Sequence, residues 1–341
     1  MPLSQDELLS VAGRLAAEAG CAAPVELTQL AGGKNNRVYR ASIADGSALV
    51  LKSYFFDERD TRDRLTAEWT FLDYAWQRGV RNIPQPLARD GVTRTGLYSF
   101  VSGDKLKAGA VARQHVDAAL DFVRDVNGAP RAAKTLPASS EACFTLDQHL
   151  QLVERRTARL TMLDADVPLR DKAAAFIGER LLPGWQALKQ KIAKQAEQAG
   201  IHSDVAIADA ELVASPSDFG FHNALVNDQG HITFIDFEYA GHDDPAKLAC
   251  DFFCQPEIPV PAVHFDHFVD RMASDLGLGA DFRERCRLLI DAYHVKWTCI
   301  ILNDFLPVGA ARRAFAVHSD WEERCAQQLN KAEQQLGQIA L

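Results

Sequence analysis

The stretch Ser215–Gly241, SPSDFGFHNALVNDQGHITFIDFEYAG, contains the pattern that decides the fold. A loop leads into a short apolar run, a turn follows at Asn227–Gly230, and a second apolar run ends one residue before Asp236. This order predicts a β-hairpin. Asp218 and Asn223 lie before the hairpin and Asp236 follows it, so we expect the three side chains to converge at its base.

The three side chains have a chemistry in common. Two carboxylates and an amide oxygen are what a hard cation such as Mg²⁺ requires, with one carboxylate left over as a general base. The hairpin therefore predicts a metal site beside a proton acceptor.

The composition of the whole chain bounds the class of protein. With 341 residues, 47% of them apolar, the chain can bury a sizeable core, and its length suggests two domains. A formal net charge of -9 argues against a nucleic-acid-binding protein. The N-terminal segment is acidic and no apolar stretch is long enough to cross a bilayer, so we expect a cytoplasmic protein without a membrane partner. Seven cysteines, with Cys250 and Cys254 read as core thiols, favour a reducing compartment.

The N-terminal third alternates between helix and strand signals. Ser4–Glu7 is a capping box that opens a helix, and extended segments then surround a loop containing Gly32 and Gly33. This loop is open to two interpretations, an ordinary β-turn or a flap whose backbone N–H groups cover phosphates. A further apolar strand ends at Lys52.

The helix predicted at about Asp60–Arg78 carries a candidate partner for Lys52. Glu68 borders its apolar stripe, and a carboxylate beside a packed face is costly unless it is paired. Either Glu68 pairs with Lys52 and holds the ammonium against phosphates, or it is a solvated flank of the helix. The stripe consists of Leu65, Trp69, Leu72 and Trp76.

The rest of the chain is mostly helical. Strand patterns end near Ser102, and helices are predicted from Ala108–Val126 onward, with two runs flanking a break at Pro183–Gly184. Because strands and helices are segregated, the fold class is α+β. The predicted domains are a small β-rich lobe, residues 1–102, and a large helical lobe, residues 103–341, into which the hairpin is inserted.

The order of these features resembles the protein-kinase-like fold, and most closely its small-molecule branch, the aminoglycoside phosphotransferase and choline kinase family. The features are a strand-borne lysine, a helix-borne acid, a connector, helices, Asp-x4-Asn, a hairpin and an aspartate. They extend from Leu30 to Asp251, about two thirds of the chain. The resemblance implies a bilobal fold and an ATP-dependent phosphotransferase that acts on a small-molecule hydroxyl.

The resemblance also implies a role for each matching residue. Asp218 would be the catalytic base, and Asn223 and Asp236 would hold Mg²⁺ on the triphosphate. Lys52 would contact the α- and β-phosphates while Glu68 orients it. The remaining matches would bind ATP through the phosphate-covering loop (Gly32, Gly33, Asn35 and Asn36) and the adenine connector (Ser99, Phe100 and Val101). Asp251 resembles the buried aspartate that supports the catalytic loop, although Asp243 or Asp244 could serve instead.

Two features of the loop concern its register and the residue that precedes the base. Asp218-Phe219-Gly220 spells their metal-binding triplet, but with Asp218 as the base the register accounts for Asn223, the hairpin and Asp236 together. The family's usual histidine two residues before the base is here Pro216, so the metal-binding turn must be braced by other groups. His222 beside Asn223 is interpreted as structural rather than as a second base.

Two classes of function remain open. The first is a kinase of a sugar, an amino-alcohol or a similar metabolite, and the second is a catalytically silent nucleotide-binding module that acts through a partner. The charge of the substrate is not fixed by the sequence, although position 238 is a candidate additional ligand. His264 and His267, one helical turn apart, fit a helix surface better than a metal site. Candidate pocket residues are Glu238, Asp243, His294, Trp297 and Asp304.

Overall fold

A computed structural model describes residues 3–30, 36–56, 62–128, 133–307 and 321–339. The chain forms two compact units, the first from Met1–Ser140 and Ala214–His242, the second from Glu141–Val213 and Asp243–Leu341. The predicted domain boundary after Ser102 stays a prediction. Gly32, Gly33 and Asn35 lie outside the described residues.

The first unit is built on a five-stranded antiparallel sheet. The spatial order is β1-β2-β3-β5-β4, so β3 is the central strand. Lys52 lies on β3, opposite Val38 of β2 and Gly96 of β5. The strands are β1 (Pro24–Gln29), β2 (Arg37–Ile43), β3 (Ala48–Ser53), β4 (Pro86–Asp90) and β5 (Thr95–Ser99).

Two helices pack beside this sheet. Helix α1 (Gln5–Glu18) begins with the predicted capping box of Ser4 and Glu7, and its buried face joins the core of β1–β5. Helix α2 (Arg64–Gln77) begins after its N-cap, Asp63. The predicted apolar stripe of α2 was partly wrong, because its two tryptophans are only half-buried while Glu68 lies on the buried face.

The first unit also contains α3 (Arg113–Val126) and the segment with the hairpin. Helix α3 begins five residues later than the predicted Ala108. Its C-cap residue, Asn127, donates to and accepts from the backbone of Ala214, with N···O distances of 3.1 and 2.8 Å. The short strands are β6 (Val213–Ser215), β7 (Ala224–Val226), β8 (Ile232–Phe234) and β9 (Gly241–Asp243), of which β7 pairs with β8 and β6 with β9.

The second unit is helical in its described residues. Its central element is the 22-residue helix α9, buried over most of its circumference and in contact with α4, α6, α7, α8 and α10. The helices are α4 (Leu146–Arg159), α5 (Arg170–Phe176), α6 (Leu182–Gln198), α7 (Pro245–Cys254), α8 (Phe265–Leu276), α9 (Ala280–Ile301) and α10 (Trp321–Leu336). The predicted α+β class, with a sheet in the N-terminal region and a mostly helical remainder, is confirmed.

The helical break predicted at Pro183–Gly184 was wrong. A turn of π-helix, Ile177–Leu181, joins α5 to α6, and Pro183 lies in the first turn of α6. Within a continuous helix a proline removes one backbone hydrogen bond and its ring crowds the preceding turn. The wider π turn therefore absorbs the irregularity without interrupting the helical path.

In the described part of the chain, no helix combines the length and apolarity that crossing a bilayer requires. Cys250 and Cys254 are free thiols in the core, as predicted.

Candidate active site

Lys52 lies at the centre of an ion-pair cluster in the first unit. Its Nζ atom is 2.6 Å from the Glu68 carboxylate and also donates to the carboxylate of Asp236. Glu68 and Lys52 are buried, whereas the Asp236 side chain is 40% exposed. The Lys52–Glu68 pair proposed from the helical spacing therefore forms, and Glu68 is not a solvated flank.

The surroundings of Lys52 keep its ammonium charged. Burial alone would lower the pKa of Lys52, but the carboxylates of Asp236, Glu68 and Glu238 raise it above its ordinary value. Lys52 is thus a fixed positive charge whose buried side is neutralised by Glu68. Its other partner, the Asp236 carboxylate, is the exposed member of the cluster.

Two tyrosines that the sequence analysis missed complete this cluster. The Tyr54 hydroxyl donates to Glu68 at 2.7 Å and exchanges a hydrogen bond of 2.7 Å with the Tyr98 hydroxyl. The alternation of side chains between the two faces of a strand could have identified these tyrosines. Tyr54 lies two residues after Lys52, just beyond the end of β3, and Val50, on the same face as Lys52, is paired with Tyr98.

The base of the hairpin places Asn223 next to Asp218 and next to the residue that precedes Asp236. The Asn223 side-chain amide donates to the Asp218 carbonyl at 3.0 Å. The Asn223 carbonyl accepts from Ile235 N–H at 2.9 Å, so Asp236 follows directly after this bond. The Asp218 side chain, 34% exposed, also lies 3.1 Å from Nε2 of His222.

Two residues of this segment have a strained backbone. Ser217 and Asp236 have φ angles of 66° and 68°, which side chains other than glycine rarely adopt. Such conformations cost about 1–3 kcal/mol each and persist where surrounding contacts over-determine them. Ser217 N–H donates to the Ser215 hydroxyl at 3.1 Å, which is one such contact.

The bracing that Pro216 cannot provide comes from two other residues. Glu68 accepts from Phe237 N–H at 3.4 Å, next to Asp236, while its other oxygen contacts Lys52. Asn223 holds the preceding residue, Ile235, through the bond described above. The metal-binding turn predicted from the sequence is therefore held by Glu68 from one side and by Asn223 from the other.

Asn36 is the first described residue after the glycine loop. Its side-chain oxygen accepts from Phe55 N–H at 3.1 Å, and its amide nitrogen donates to the carboxylate of Glu238. Arg64 Nε lies 3.7 Å from the same carboxylate. Glu238 is buried, so in this arrangement it holds Asn36 in place.

The predicted adenine connector Ser99–Val101 follows β5 and is half-buried. Ser99 is engaged on both sides by Gln85, its N–H donating to the carbonyl and its hydroxyl accepting from the N–H. Among the described residues, the backbone groups of Phe100 and Val101 make no hydrogen bond. The guanidinium of Arg40 lies 4.5 Å from the centroid of the Phe100 ring.

The aspartates considered as supports lie in a buried charge network of the second unit. Asp251 accepts from Lys296 at 2.7 Å and from the Trp297 indole at 2.8 Å. Lys247 pairs with Asp243 at 2.8 Å and with Asp251 at 3.6 Å. Support of the catalytic loop by Asp251 stays a prediction.

The residues suggested as pocket liners already have partners within their own units. In the second unit, Asp243 pairs with Lys247 as described. His294 is buried against Gln335 at 3.0 Å, and Asp304 pairs with Arg324 at 2.8 Å. Burial lowers the pKa of His294 to about 4, so this histidine is neutral at physiological pH. These contacts do not single out one of the liners as a substrate ligand.

The donor atoms at the base of the hairpin limit the kind of metal site that this segment can form. No cluster of three or more His, Cys, Asp or Glu side chains that could hold a metal is found among the described residues. Asn223 and Asp236 instead offer one amide oxygen and one carboxylate. Mg²⁺ commonly takes one or two carboxylates from the protein and completes its shell with waters and substrate phosphates. This pair therefore fits a cation that binds together with a nucleotide. It supplies too few ligands for a site formed by protein groups alone.

Comparison with known proteins identifies the family. The sequence profile of the phosphotransferase enzyme family, APH, matches residues 26–252, more than half of the chain. No curated protein matches the chain in sequence.

Solved structures share the fold over nearly the whole chain. A choline/ethanolamine kinase family protein from Mesorhizobium loti is 18% identical, with 97% of this chain and 94% of that chain covered and a TM-score of 0.59. A spectinomycin phosphotransferase in complex with ADP and spectinomycin is 12% identical, with 100% and 96% covered and a TM-score of 0.59. An amicoumacin kinase in complex with AMP-PNP and Ca²⁺ is 14% identical, with 92% and 88% covered and a TM-score of 0.55. At these identities the likeness establishes the fold.

Proposed function

Because the chain belongs to the phosphotransferase enzyme family, we propose that it transfers the γ-phosphoryl group of ATP to a hydroxyl of a small metabolite. The single observation that carries this proposal is the Lys52 cluster, in which one buried ammonium contacts both Glu68 and Asp236. Phosphoryl transfer depends on positioning and on charge neutralisation rather than on covalent chemistry of the protein. A fixed cation beside an acid that can hold a metal supplies both.

Asp218 is the proposed general base. Its carboxylate is one-third exposed, at the base of the hairpin that carries the proposed metal ligands. As the acceptor hydroxyl attacks the γ-phosphorus, its O–H bond breaks and the proton passes to Asp218, the new O–P bond forms, and ADP leaves. Such a base contributes on the order of 10²–10⁴-fold to the rate.

Asn223 and Asp236 are the proposed ligands of Mg²⁺. The bound ion would neutralise the negative charge that the triphosphate carries and the charge that develops during transfer. Lys52 would contact the α- and β-phosphates, and Glu68 would keep the ammonium in position. The ion pair of Asp236 with Lys52 supports this role, because the carboxylate lies beside the ammonium that we propose to contact the phosphates.

The nucleotide would be held by elements of the first unit. Asn36 and the glycine loop would cover the phosphates, with Gly32, Gly33 and Asn35 assigned from the sequence alone. Phe100 and Val101, whose backbone groups make no hydrogen bond to the described residues, would pair with adenine, and Ser99 would end the strand that presents them.

The acceptor is proposed as a hydroxylated small molecule. Structural relatives named as choline, ethanolamine or amicoumacin kinases and spectinomycin phosphotransferase suggest three chemical classes to screen: amino-alcohols, amino-sugars and cyclitols, and simple sugars. The screen measures ADP release with Mg·ATP, and phosphorylated product is confirmed by mass spectrometry.

The residue roles are tested with three aspartate variants. Asp218→Ala should lower turnover by about 10²–10⁴-fold and leave the thermal shift by ATP intact. Asp236→Ala should lower turnover and also the Mg²⁺-dependent part of that shift. Asp228→Ala is the matched control, because Asp228 lies exposed in the turn of the same hairpin. If Asp236→Ala left nucleotide binding and turnover intact, the metal assignment would be wrong, and a wild-type protein that gives no thermal shift with ATP would contradict the kinase proposal.

A further inference from the structure

His222 contacts the carboxylate that we assign as the base. It lies in the 3₁₀ turn Phe221–Asn223, four residues after Asp218, and its Nε2 atom is 3.1 Å from Asp218 Oδ1. The His222 side chain is 10% exposed, whereas the Asp218 side chain is 34% exposed. The histidine is therefore the buried partner of this contact, and a third of the Asp218 side chain is accessible to solvent.

The second ring nitrogen of His222 defines the tautomer. Nδ1 is buried and has no hydrogen-bond partner in the described part of the chain. A proton on Nδ1 would bury an unpaired N–H group, which is costlier than burying a lone pair beside apolar atoms. The neutral tautomer with its proton on Nε2 satisfies the contact, so His222 donates and Asp218 Oδ1 accepts.

His222 and Asn223, which are consecutive in the sequence, thus bind the side-chain carboxylate and the backbone carbonyl of Asp218. Asn223 binds its carbonyl through the side-chain amide at 3.0 Å, and His222 binds its carboxylate. The strained backbone of Ser217, with φ of 66°, precedes it. The bond from the imidazole therefore restrains rotation about the side-chain torsions of Asp218.

We propose that His222 is a positioning residue for phosphoryl transfer, one that fixes the orientation of the Asp218 carboxylate by donating from Nε2 to Oδ1. This inference rests on the proposed function, since it assigns Oδ2, the oxygen that His222 does not contact, as the acceptor of the substrate's hydroxyl proton. The contribution of His222 is geometric, and a displacement of about 1 Å in a reacting group can cost about 10²-fold in rate.

The kinetic test compares two substitutions of His222. His222→Leu fills the buried space without a donor, and His222→Gln places an amide N–H near the position of Nε2. We expect His222→Leu to lower kcat about 10- to 100-fold with the KM for ATP and the AMP-PNP thermal shift unchanged, and His222→Gln to recover about tenfold of that loss. His231→Leu is the control, because His231 is exposed on the same hairpin.

Three kinetic results would overturn the proposal. The first is a kcat for His222→Leu within about twofold of the wild type, which is below the smallest loss expected from misplacement. The second is a loss of AMP-PNP binding in parallel with kcat, which would indicate a structural role only. The third is equal loss in the Gln and Leu variants, which would show that the donor is not what matters.

A spectroscopic test separates this inference from the proposed function. In the ¹⁵N-histidine-labelled protein, long-range ¹H–¹⁵N correlations report the tautomer of His222, assigned through the spectrum of His222→Gln. We expect an Nε2–H tautomer whose proton exchanges slowly and loses that protection in Asp218→Ala. An Nδ1–H tautomer, or exchange unaffected by Asp218→Ala, would contradict the hydrogen bond even if the protein transfers phosphate. Conversely, a protein without kinase activity could still show this bond, in which case the proposed function alone would fail.

Discussion

The ring of Phe71, on α2, stacks on the ring of Phe237 with centroids 4.8 Å apart and an interplanar angle of 21°. Phe237 follows Asp236 directly, and Phe71 lies one turn after Glu68 on its helix. The stack therefore fixes the helix that carries Glu68 against the turn that carries Asp236. Phe122 of α3 packs near the same turn, because its ring centroid lies 4.7 Å from that of Phe234, two residues before Asp236.

Substitution Phe71→Leu should loosen this turn. Loss of the aromatic contact and an imperfect fill of the site should lower the free energy of unfolding by about 1–3 kcal/mol. Because the Phe237 N–H bond to Glu68 depends on the same packing, the Mg²⁺-dependent thermal shift by ATP should also decrease. Chemical denaturation and nucleotide titration measure the two effects.

Phe56→Leu is the matched control, since Phe56 is 53% exposed. Its effect on stability should stay within about 0.5 kcal/mol. A Phe71→Leu protein as stable as the control would show that the stack contributes little.

The sequence was most informative where a polar residue interrupts a regular pattern. Lys52 at the end of an apolar run and Glu68 beside an apolar stripe predicted their own pairing, because burying either charge alone is costly. The hairpin was equally predictable, since its turn residues and the alternating pattern of its strands are all contained in one short stretch of sequence. The predicted convergence of Asp218 and Asn223 followed from that local geometry.

The missed features depend on contacts between residues far apart in the sequence. The Tyr54–Tyr98 hydroxyl pair requires the register of β3 against β5, which strand patterns do not fix. Pro183 was expected to break the helix, but a π turn just before it keeps the helical path continuous. The local sequence does not reveal such a turn. The His222 contact was hidden because the orientation of a loop side chain is set by neighbouring packing.

Removal of the Lys52 charge should be strongly destabilising. In Lys52→Met the Glu68 carboxylate stays buried without its cation, and breaking a buried pair in this way costs about 3–5 kcal/mol. Adding Glu68→Leu should recover part of that loss, because the pair is replaced by apolar groups. A double-mutant cycle on the free energy of unfolding measures the coupling.

Nucleotide binding distinguishes the structural and functional parts of this cluster. The double variant should regain part of the stability without regaining the thermal shift by ATP, since the ammonium that we propose to contact the phosphates is absent. Strictly additive effects of the two substitutions would contradict the direct pairing.

Gly96 permits the close approach of Tyr98 to the Lys52 face of the sheet. A Cβ atom on Gly96 would overlap the Tyr98 hydroxyl and ring. Gly96→Ala should therefore displace that ring, weaken its bond to Tyr54, and lower the free energy of unfolding by about 1–3 kcal/mol. Gly91→Ala is the control, because a Cβ on Gly91 would meet no atom within 4 Å. Equal stability of the two variants would show that Tyr98 can shift without cost.

His149 connects a buried polar network in the second unit. Its Nδ1 atom is 2.7 Å from the Tyr293 hydroxyl and its Nε2 atom 3.1 Å from Asp244, which also accepts from Arg285 at 3.2 Å. Burial alone would lower the pKa of His149, but Cys143 and the Asp244 hydrogen bond raise it to about 10. The protonated form is therefore the one that the folded protein stabilises.

The stability of the protein should consequently depend on pH in a defined window. Since the pKa of His149 is higher in the folded state than its ordinary value of 6.5, its contribution is fully present below pH 6.5 and is lost as pH rises from there to about 10. Urea unfolding across this window should show a falling free energy of unfolding, and His149→Gln should flatten that fall. His202→Gln, at an exposed position of the same unit, should leave the fall unchanged. An unchanged pH dependence in His149→Gln would show that His149 is not protonated in the folded protein.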